Sequence, residues 1–309
     1  MTYHDAVERL MAEFRERRPL RAGSLIITVY GDAIAPHGGR VWLGSLIRLL
    51  EPFGLNGRLV RTSVFRLSKE SWLTSEQVGR RSYYSLTSAG RRRFESAYRR
   101  IYAVPQSHWD GQWCLVFAAL PGLDGEQREQ IRRELSWQGF GMIAPGVLAH
   151  PGRDTGEVMD TLQALEVQDK VVVMTARSEE RFAGHPLQEW VGSCWNLQQL
   201  SQDYRQFLER YRPLWRSLNA AEGALDPEPC FLVRTLLIHD YRRVLLRDPQ
   251  LPDELLPADW AGTAARLLCR NLYRLVQEPS ERHLMQVLET ADGPLPQAAP
   301  YFYARFGGL

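Results

Sequence analysis

Apolar residues in the first third of the chain recur at helical spacing and are cut into segments by proline and glycine. Residues 20–35 (LRAGSLIITVYGDAIA) predict a mostly buried helix, broken by Pro36, His37, Gly38 and Gly39. A second helix is predicted from about Val41 to Glu51. Trp42, Leu43, Leu46, Ile47 and Leu50 recur on one side of it, Ser45 and Arg48 lie opposite, and Pro52 and Gly54 stop it. A third helix follows from about Asn56 to Glu70. At about 100° per residue, Val60, Val64 and Leu67 share one face, and Arg58, Arg61, Thr62, Phe65, Arg66 and Lys69 spread over the other.

That cationic face gains nothing by burial. It suits either water or the major groove of a duplex, where arginine forks reach guanine edges and phosphates. The next segment favours the duplex. Short strands at Trp72–Thr74 and Ser82–Leu86 flank the turn Gly79-Arg80-Arg81, predicting a hairpin with a basic tip. A helix from Thr87 then carries Arg91, Arg92, Arg93, Arg99 and Arg100. Two helices, a basic helix and a basic hairpin, in that order, are the layout of a winged helix-turn-helix. In such a module the hairpin tip lies along the backbone or enters the minor groove.

Beyond residue 103 the pattern changes. An apolar strand is predicted over Trp113–Leu120, an amphipathic helix over Asp124–Trp137, and strands over Gly141–Ala144 and Val147–His150 about a Pro145-Gly146 turn. A helix over Asp154–Glu166 and a strand over Lys170–Thr175 complete a β-α-β-β-α-β order, which is ferredoxin-like. Residues 186–309 read as predominantly helical. One helix spans about Asn196–Tyr211. Another opens with Asp226-Pro227-Glu228, a good cap, first-turn proline and acid, and runs to about Arg247. The expected class is therefore α+β in three segments: 1–103, a winged helix-turn-helix; 104–185, ferredoxin-like; and 186–309, helical, for effector binding and dimerisation.

Charge sharpens this division. Residues 1–103 hold 18 Lys and Arg against 9 Asp and Glu, a balance of +9, while the remainder holds 20 against 27, a balance of −7. Only Lys69 and Lys170 are lysines, so the positive charge is almost all in planar guanidinium forks. The four scattered cysteines form no CxxC pair and suggest neither a zinc site nor a disulfide framework, so no metal is expected. No apolar run reaches the roughly 18 residues of a membrane span, and the charged start lacks a secretion-signal core, so a soluble cytoplasmic protein is expected. No G-x-S-x-G elbow, P-loop, G-x-G-x-x-G or HExxH occurs, so no catalytic residues, cofactor or enzyme activity are expected.

Several stretches together resemble the PaaX family of repressors of phenylacetic-acid degradation. They are YGDAIAPHGGRVWLGSLIRLL from Tyr30, RTSVFRLSKESWL from Arg61, GRRSYYSLTSAG from Gly79, WDGQW from Trp109, WQGFGMIAP from Trp137, HDYRRVLLRDPQLPDELLPADWAG from His239, and the closing YFYARFGGL. The likeness covers nearly the whole chain. It implies a homodimer with a winged-helix domain, a middle domain similar to the Cas2 ferredoxin-like fold and a helical C-terminal domain. It also implies an operator-DNA partner and release by phenylacetyl-coenzyme A. On that resemblance Arg58, Arg61, Thr62 and Arg66 read bases or phosphates, with Arg80 and Arg81 in the wing; Lys69, on the same cationic face, joins the expected DNA-binding set. Cas2 nucleases carry an aspartate at the end of the first strand. Here that strand reads CLVFAAL and has no acid, so RNA cleavage is not expected.

The effector is harder to place. Arg234, His239, Arg242 and Arg243 sit on a helix that is apolar nearly all round and need partners. Either acids such as Asp240 or Glu222 pair with them, or they line a cleft for the phosphates of an acyl-CoA. Trp195, Tyr204, Tyr241 and Trp260 are available for its aryl end. Two other functions stay open at this point: a DNA-binding regulator without that ligand, and an enzyme acting on acyl-CoA or RNA with a basic tether.

Overall fold

The chain's first helix, α1 (Tyr3–Glu16), opens with a capping box: the Thr2 hydroxyl accepts from the Asp5 amide, and the Asp5 carboxylate accepts from the Thr2 amide. Ala6, Val7, Leu10, Met11 and Phe14 follow at helical spacing and are all buried. In sequence this segment stands out as a charged start without a secretion-signal core, and no helix is assigned to it. Its apolar stripe nevertheless makes it part of a core.

The computed structural model describes residues 2–103, 109–119, 121–152, 154–178 and 185–309. After α1 come α2 (Ala22–Val29), a π-turn at Tyr30–Ile34, a 3-10 turn at Ala35–His37, β1 (Arg40–Trp42), α3 (Leu43–Leu50), α4 (Gly57–Lys69), β2 (Leu73–Val78), β3 (Arg81–Leu86) and α5 (Ser88–Tyr102). The next stretch holds β4 (Gln112–Phe117), α6 (Gly125–Trp137), β5 (Gly141–Ala144), β6 (Val147–Pro151), α7 (Thr155–Ala164) and β7 (Val172–Arg177). The remainder holds α8 (His185–Trp195), α9 (Leu197–Asn219), α10 (Pro227–Leu245), α11 (Ala261–Val287), the short pair β8 (Glu289–Thr290) and β9 (Gly293–Pro294), and α12 (Pro300–Tyr303). Leu120, the predicted end of one strand, lies outside the described residues, as does Val104, where the predicted middle segment opens.

Contacts divide the chain into two units: Met1–Val104 with Arg205–Leu245 and Thr263–Leu309, and Pro105–Tyr204 with Leu246–Gly262. In space, therefore, α10 and most of α11 belong with the N-terminal elements, an association that the three-segment reading did not anticipate.

In the first unit β1, β3 and β2 form a three-stranded antiparallel sheet in that order. The predicted second helix is corrected at its start. Gly38 and Gly39 adopt left-handed φ values of 85° and 77°, and Val41 and Trp42, β-branched and aromatic, enter a strand before α3 begins at Leu43. The predicted first helix also differs, because after Val29 it loosens into the π-turn that carries the buried Asp32.

Asp32 is the electrostatic centre of this unit. Its carboxylate accepts from Arg234 Nε (2.7 Å), Arg305 Nη1 (3.0 Å), the Tyr102 hydroxyl (2.6 Å) and the Tyr273 hydroxyl (2.9 Å). Arg234 Nη1 also reaches Glu281 (2.5 Å), which His37 Nε2 meets at 2.8 Å. Burial opposes ionisation of Glu281, but the Arg234 guanidinium and His37 outweigh it and hold the carboxyl at about 2. Buried charges survive only when paired and hydrogen-bonded in this way.

The second unit follows the predicted β-α-β-β-α-β order, its antiparallel sheet running β5-β6-β4-β7. Alternation along β4 and β6 feeds two cores. Cys114, Val116 and Leu148 face α6 and α7 residues such as Ile131, Leu135, Val158 and Leu162. Trp113 and Ala149 face a second cluster with Val191, Leu197 and Leu251.

Candidate nucleic-acid interface

Helix α4 begins where the Asn56 side chain accepts from the Leu59 amide at 2.9 Å. Val60, Val64 and Leu67 are buried, and α2 and α3 pack against this helix. Its opposite face is open. Arg58, Arg61, Thr62, Phe65, Arg66 and Lys69 are all exposed, Phe65 to 62%. The Thr62 hydroxyl donates to the Arg58 carbonyl at 3.0 Å, and Lys69 Nζ stands 5.5 Å from the centre of the Phe65 ring. Among the described residues, Arg58, Arg61 and Arg66 make no ion pair with a carboxylate. A face that combines unpaired guanidinium groups, a hydroxyl and an exposed aromatic edge has the donors and apolar surface that base edges and phosphates require.

The hairpin adjoins this helix in sequence. Val78 pairs with Arg81, so Gly79, at φ 60°, and Arg80 form the two-residue tip. Arg80 is exposed and makes no ion pair with a described residue. Arg81 was expected in the turn beside it, but the structure makes it the first residue of β3 and ties it down. Its guanidinium lies 4.1 Å from the centre of a Trp42 ring and meets the Glu289 carboxylate at 2.9 Å. Arg48 shares the same ring and the same carboxylate, at 5.1 Å and 2.7 Å. The hydrogen bond from Arg48, joined by that from Arg81, holds Glu289 below the usual carboxylate range despite some desolvation. This clamp joins β1, α3, β3 and β8, and no local signal in the sequence announces it.

Helix α5 starts at Thr87, whose hydroxyl accepts from the Gly90 amide at 2.9 Å. A Cβ on Gly90 would sit 2.3 Å from the Trp72 carbonyl oxygen, so only glycine allows this close packing against the hairpin's start. Arg91, Arg92, Arg93 and Arg99 of α5 are exposed.

The expected effector residues divide between the two units. Trp195, Tyr204 and Trp260 fall in the second unit, and Arg234, His239, Tyr241, Arg242 and Arg243 in the first. Trp195 Nε1 donates to the Gly139 carbonyl (2.8 Å), and the Tyr204 hydroxyl donates to Asp248 (2.5 Å) while its ring meets that of Trp260 edge-on. Trp195 also joins a cluster with Trp109, Trp113 and Trp190, none of which the sequence singled out as a ligand-facing aromatic.

Arg234 has no accessible surface, and its carboxylate partners are Asp32 and Glu281, which leaves it no free edge for a ligand in this conformation. Asp240, expected as a partner of the neighbouring cations, pairs instead with Arg17 (2.7 Å) and Arg210 (3.2 Å). Tyr241 is buried and Arg243 exposed. His239 and Arg242 converge on Thr28. The Thr28 hydroxyl donates to the Ser24 carbonyl (3.0 Å), and its lone pairs receive Arg242 Nη1 (3.1 Å) and His239 Nδ1 (3.0 Å). That arrangement puts the proton of the neutral ring on Nδ1. Burial, reinforced by Arg242 and Arg243 and opposed by Asp240, lowers His239 to about 4.

No helix among the described residues is long and apolar enough to cross a membrane, and no group of three or more metal-ligating side chains occurs among them. Three family models match the chain in succession: PaaX-like protein over residues 21–90, PaaX protein central Cas2-like domain over 106–187, and PaaX-like protein C-terminal domain over 195–286. The Transcriptional repressor PaaX of Escherichia coli (strain K12) is 41% identical over 291 residues, spanning 94% of this chain and 92% of that protein. Among solved structures, uncharacterized protein Rv0674 from Mycobacterium tuberculosis is similar at 25% identity, with a TM-score of 0.47, over 76% of this chain and 88% of that one.

Proposed function

The chain belongs to the PaaX family, and from that premise we propose that it is a transcriptional repressor whose N-terminal module binds double-stranded operator DNA. The observation that carries this reading is the exposed face of α4, where Arg58, Arg61 and Arg66 lack carboxylate partners among the described residues. The order α2, β1, α3, α4, β2, β3 supports a winged helix-turn-helix over residues 1–103, with α4 in the major groove. Arg80 at the hairpin tip then meets the backbone or minor groove. Arg81 supports the hairpin through Trp42 and Glu289, so its part is to hold the wing in place while that clamp persists.

The protein acts in the cytoplasm as a homodimer, placing two α4 helices in successive major grooves roughly 34 Å apart on a near-palindromic site. Residues 104–185 form its Cas2-like middle segment, and residues 186–309 bind the effector and contribute to dimerisation. An aryl-CoA, phenylacetyl-CoA in particular, releases the operator. It needs only to bind the DNA-incompetent conformation more tightly, by a coupling of about 1–3 kcal/mol. The protein carries out no catalysis in this role.

Duplexes selected from a random pool by the wild-type protein provide the test. Arg61→Ala and Arg66→Ala should each abolish retention in a gel shift at physiological salt while leaving the thermal melt unchanged. Unaltered shifts for both would remove α4 from the reading role. Phenylacetyl-CoA, but not free phenylacetate, should dissociate the wild-type complex; release by the free acid, or by neither compound, would refute the effector assignment.

A further inference from the structure

A cavity of about 220 Å³ lies within the first unit, where α4 passes α2 and α10. Helix α4 supplies Ser63, Arg66 and Leu67 to its wall, its C-cap supplies Glu70, α10 supplies Arg242, and α2 supplies Gly23, Ser24 and Ile27. The helix with the proposed DNA-facing surface therefore also forms one wall of a half-open pocket.

The polar chemistry of this pocket is unbalanced. Arg242 is part-buried, and one of its five N–H groups is accounted for by Thr28. Among the described residues it has no carboxylate partner, and burial pushes its pKa below the ordinary arginine value. Arg66 stands on the same wall, also without a carboxylate partner. Glu70 shares the rim, yet it is exposed and forms an ion pair with neither arginine. Gly23 can line a cavity only with its backbone, and it does so in the first turn of α2, at the positive end of that helix. A Cβ built on Gly23 meets nothing within 4 Å, so the space beside it is open.

Arg66 and Arg242 both line this one small space, and together they carry the positive charge that an anion there would require. The volume falls below the range of roughly 300–1,000 Å³ typical of sites for whole drug-sized ligands, and fits a phosphate or diphosphate better than a complete thioester. Arg66 and Glu70 are exposed, so a larger molecule can project outward past them.

We infer that the space between α2, α4 and α10 is a binding site for a phosphoryl anion, held by Arg242 and Arg66, whose occupation withdraws Arg66 from the DNA-facing surface. The phosphates of an acyl-CoA are one source of such an anion and free phosphate or diphosphate another; in assigning the first source the inference rests on the function proposed above. Coupling follows from geometry. Arg66 cannot serve a pocket anion and a DNA phosphate with the same fork, so each ligand weakens the other by an equal factor.

The test is calorimetric titration of the full-length, DNA-free protein with two separate probes, phenylacetyl-CoA and inorganic diphosphate. Arg242→Gln removes the buried cation. Gly23→Leu leaves both arginines in place and fills the open space, and circular dichroism checks that both variants fold. The site predicts that both probes bind wild type and that both variants lose at least about tenfold in affinity. Diphosphate binding that depends on Arg242 and Gly23, without phenylacetyl-CoA binding, supports the pocket and defeats the aryl-CoA assignment. Phenylacetyl-CoA binding of equal strength in wild type and both variants overturns the pocket and leaves the effector reading standing. Binding of neither probe to wild type overturns the pocket, as does diphosphate binding indifferent to both substitutions.

Discussion

His239 shows how one side chain can combine legible chemistry with an unexpected role. An imidazole on a nearly all-apolar helix needs a partner, and it finds one in Thr28, 211 positions away in sequence. Burial holds the ring neutral, with its pKa lowered from 6.5 to about 4. A folded-state pKa below the unfolded value means that stability is fully present above about pH 6.5 and drains away as pH falls toward 4. A shift of this size corresponds to about 3 kcal/mol. Glu281, held at about 2 against an ordinary 4.5, adds a second loss that begins only below pH 4.5. Urea unfolding from pH 7 to pH 3 should therefore show a decline in two stages. His239→Gln should flatten the first stage and leave the second; an unchanged slope between pH 6.5 and pH 4.5 would mean that the ring is not the proton acceptor.

At the scale of elements, legibility followed periodicity. Val60, Val64 and Leu67 are buried and the remaining named residues of α4 exposed, because a helix against a core has one apolar stripe and the sequence displays it. The β-α-β-β-α-β order was legible for the same reason: strands and helices alternate with distinct periods, and their ends moved by no more than a few residues. Strand β1 was not legible, since three residues leave no period to read. The partners of Arg234 were hidden for a different reason. Asp32 and Glu281 lie 202 and 47 positions away, and ion pairing across such separations leaves no local trace. Asp32 binds the π-turn to α5, α10, α11 and the Arg305 segment, so it holds several elements together. Asp32→Asn leaves Arg305 buried without its carboxylate and should destabilise the protein by about 3 kcal/mol or more. Denaturant titration measures this directly; a loss below about 1 kcal/mol would show that water enters the network and compensates.

For the whole molecule, the charge asymmetry in the sequence corresponds to a physical surface. The basic third of the chain presents several of its guanidinium groups on the free faces of α4 and α5 and at the hairpin tip. Others, such as Arg17, Arg48 and Arg81, pair with carboxylates, and the buried Arg234 and Arg305 are held by Asp32 and Glu281. What sequence order could not reveal is that α10 and most of α11 share a unit with this surface, which brings Arg242 and Arg66 to one cavity. The proposed anion site was illegible for that reason, since its components lie on helices far apart in the chain. The account depends most on whether the α4 cations meet duplex phosphates and bases. Fluorescence anisotropy on a labelled duplex, followed from low to moderate salt, tests this most directly. Each phosphate contact contributes a slope of about −0.9 in log K against log salt, so replacing Arg58, Arg61 and Arg66 together by alanine should make the slope shallower by about 3 units. A slope equal to that of wild type would contradict the assignment of α4 as the DNA-binding surface.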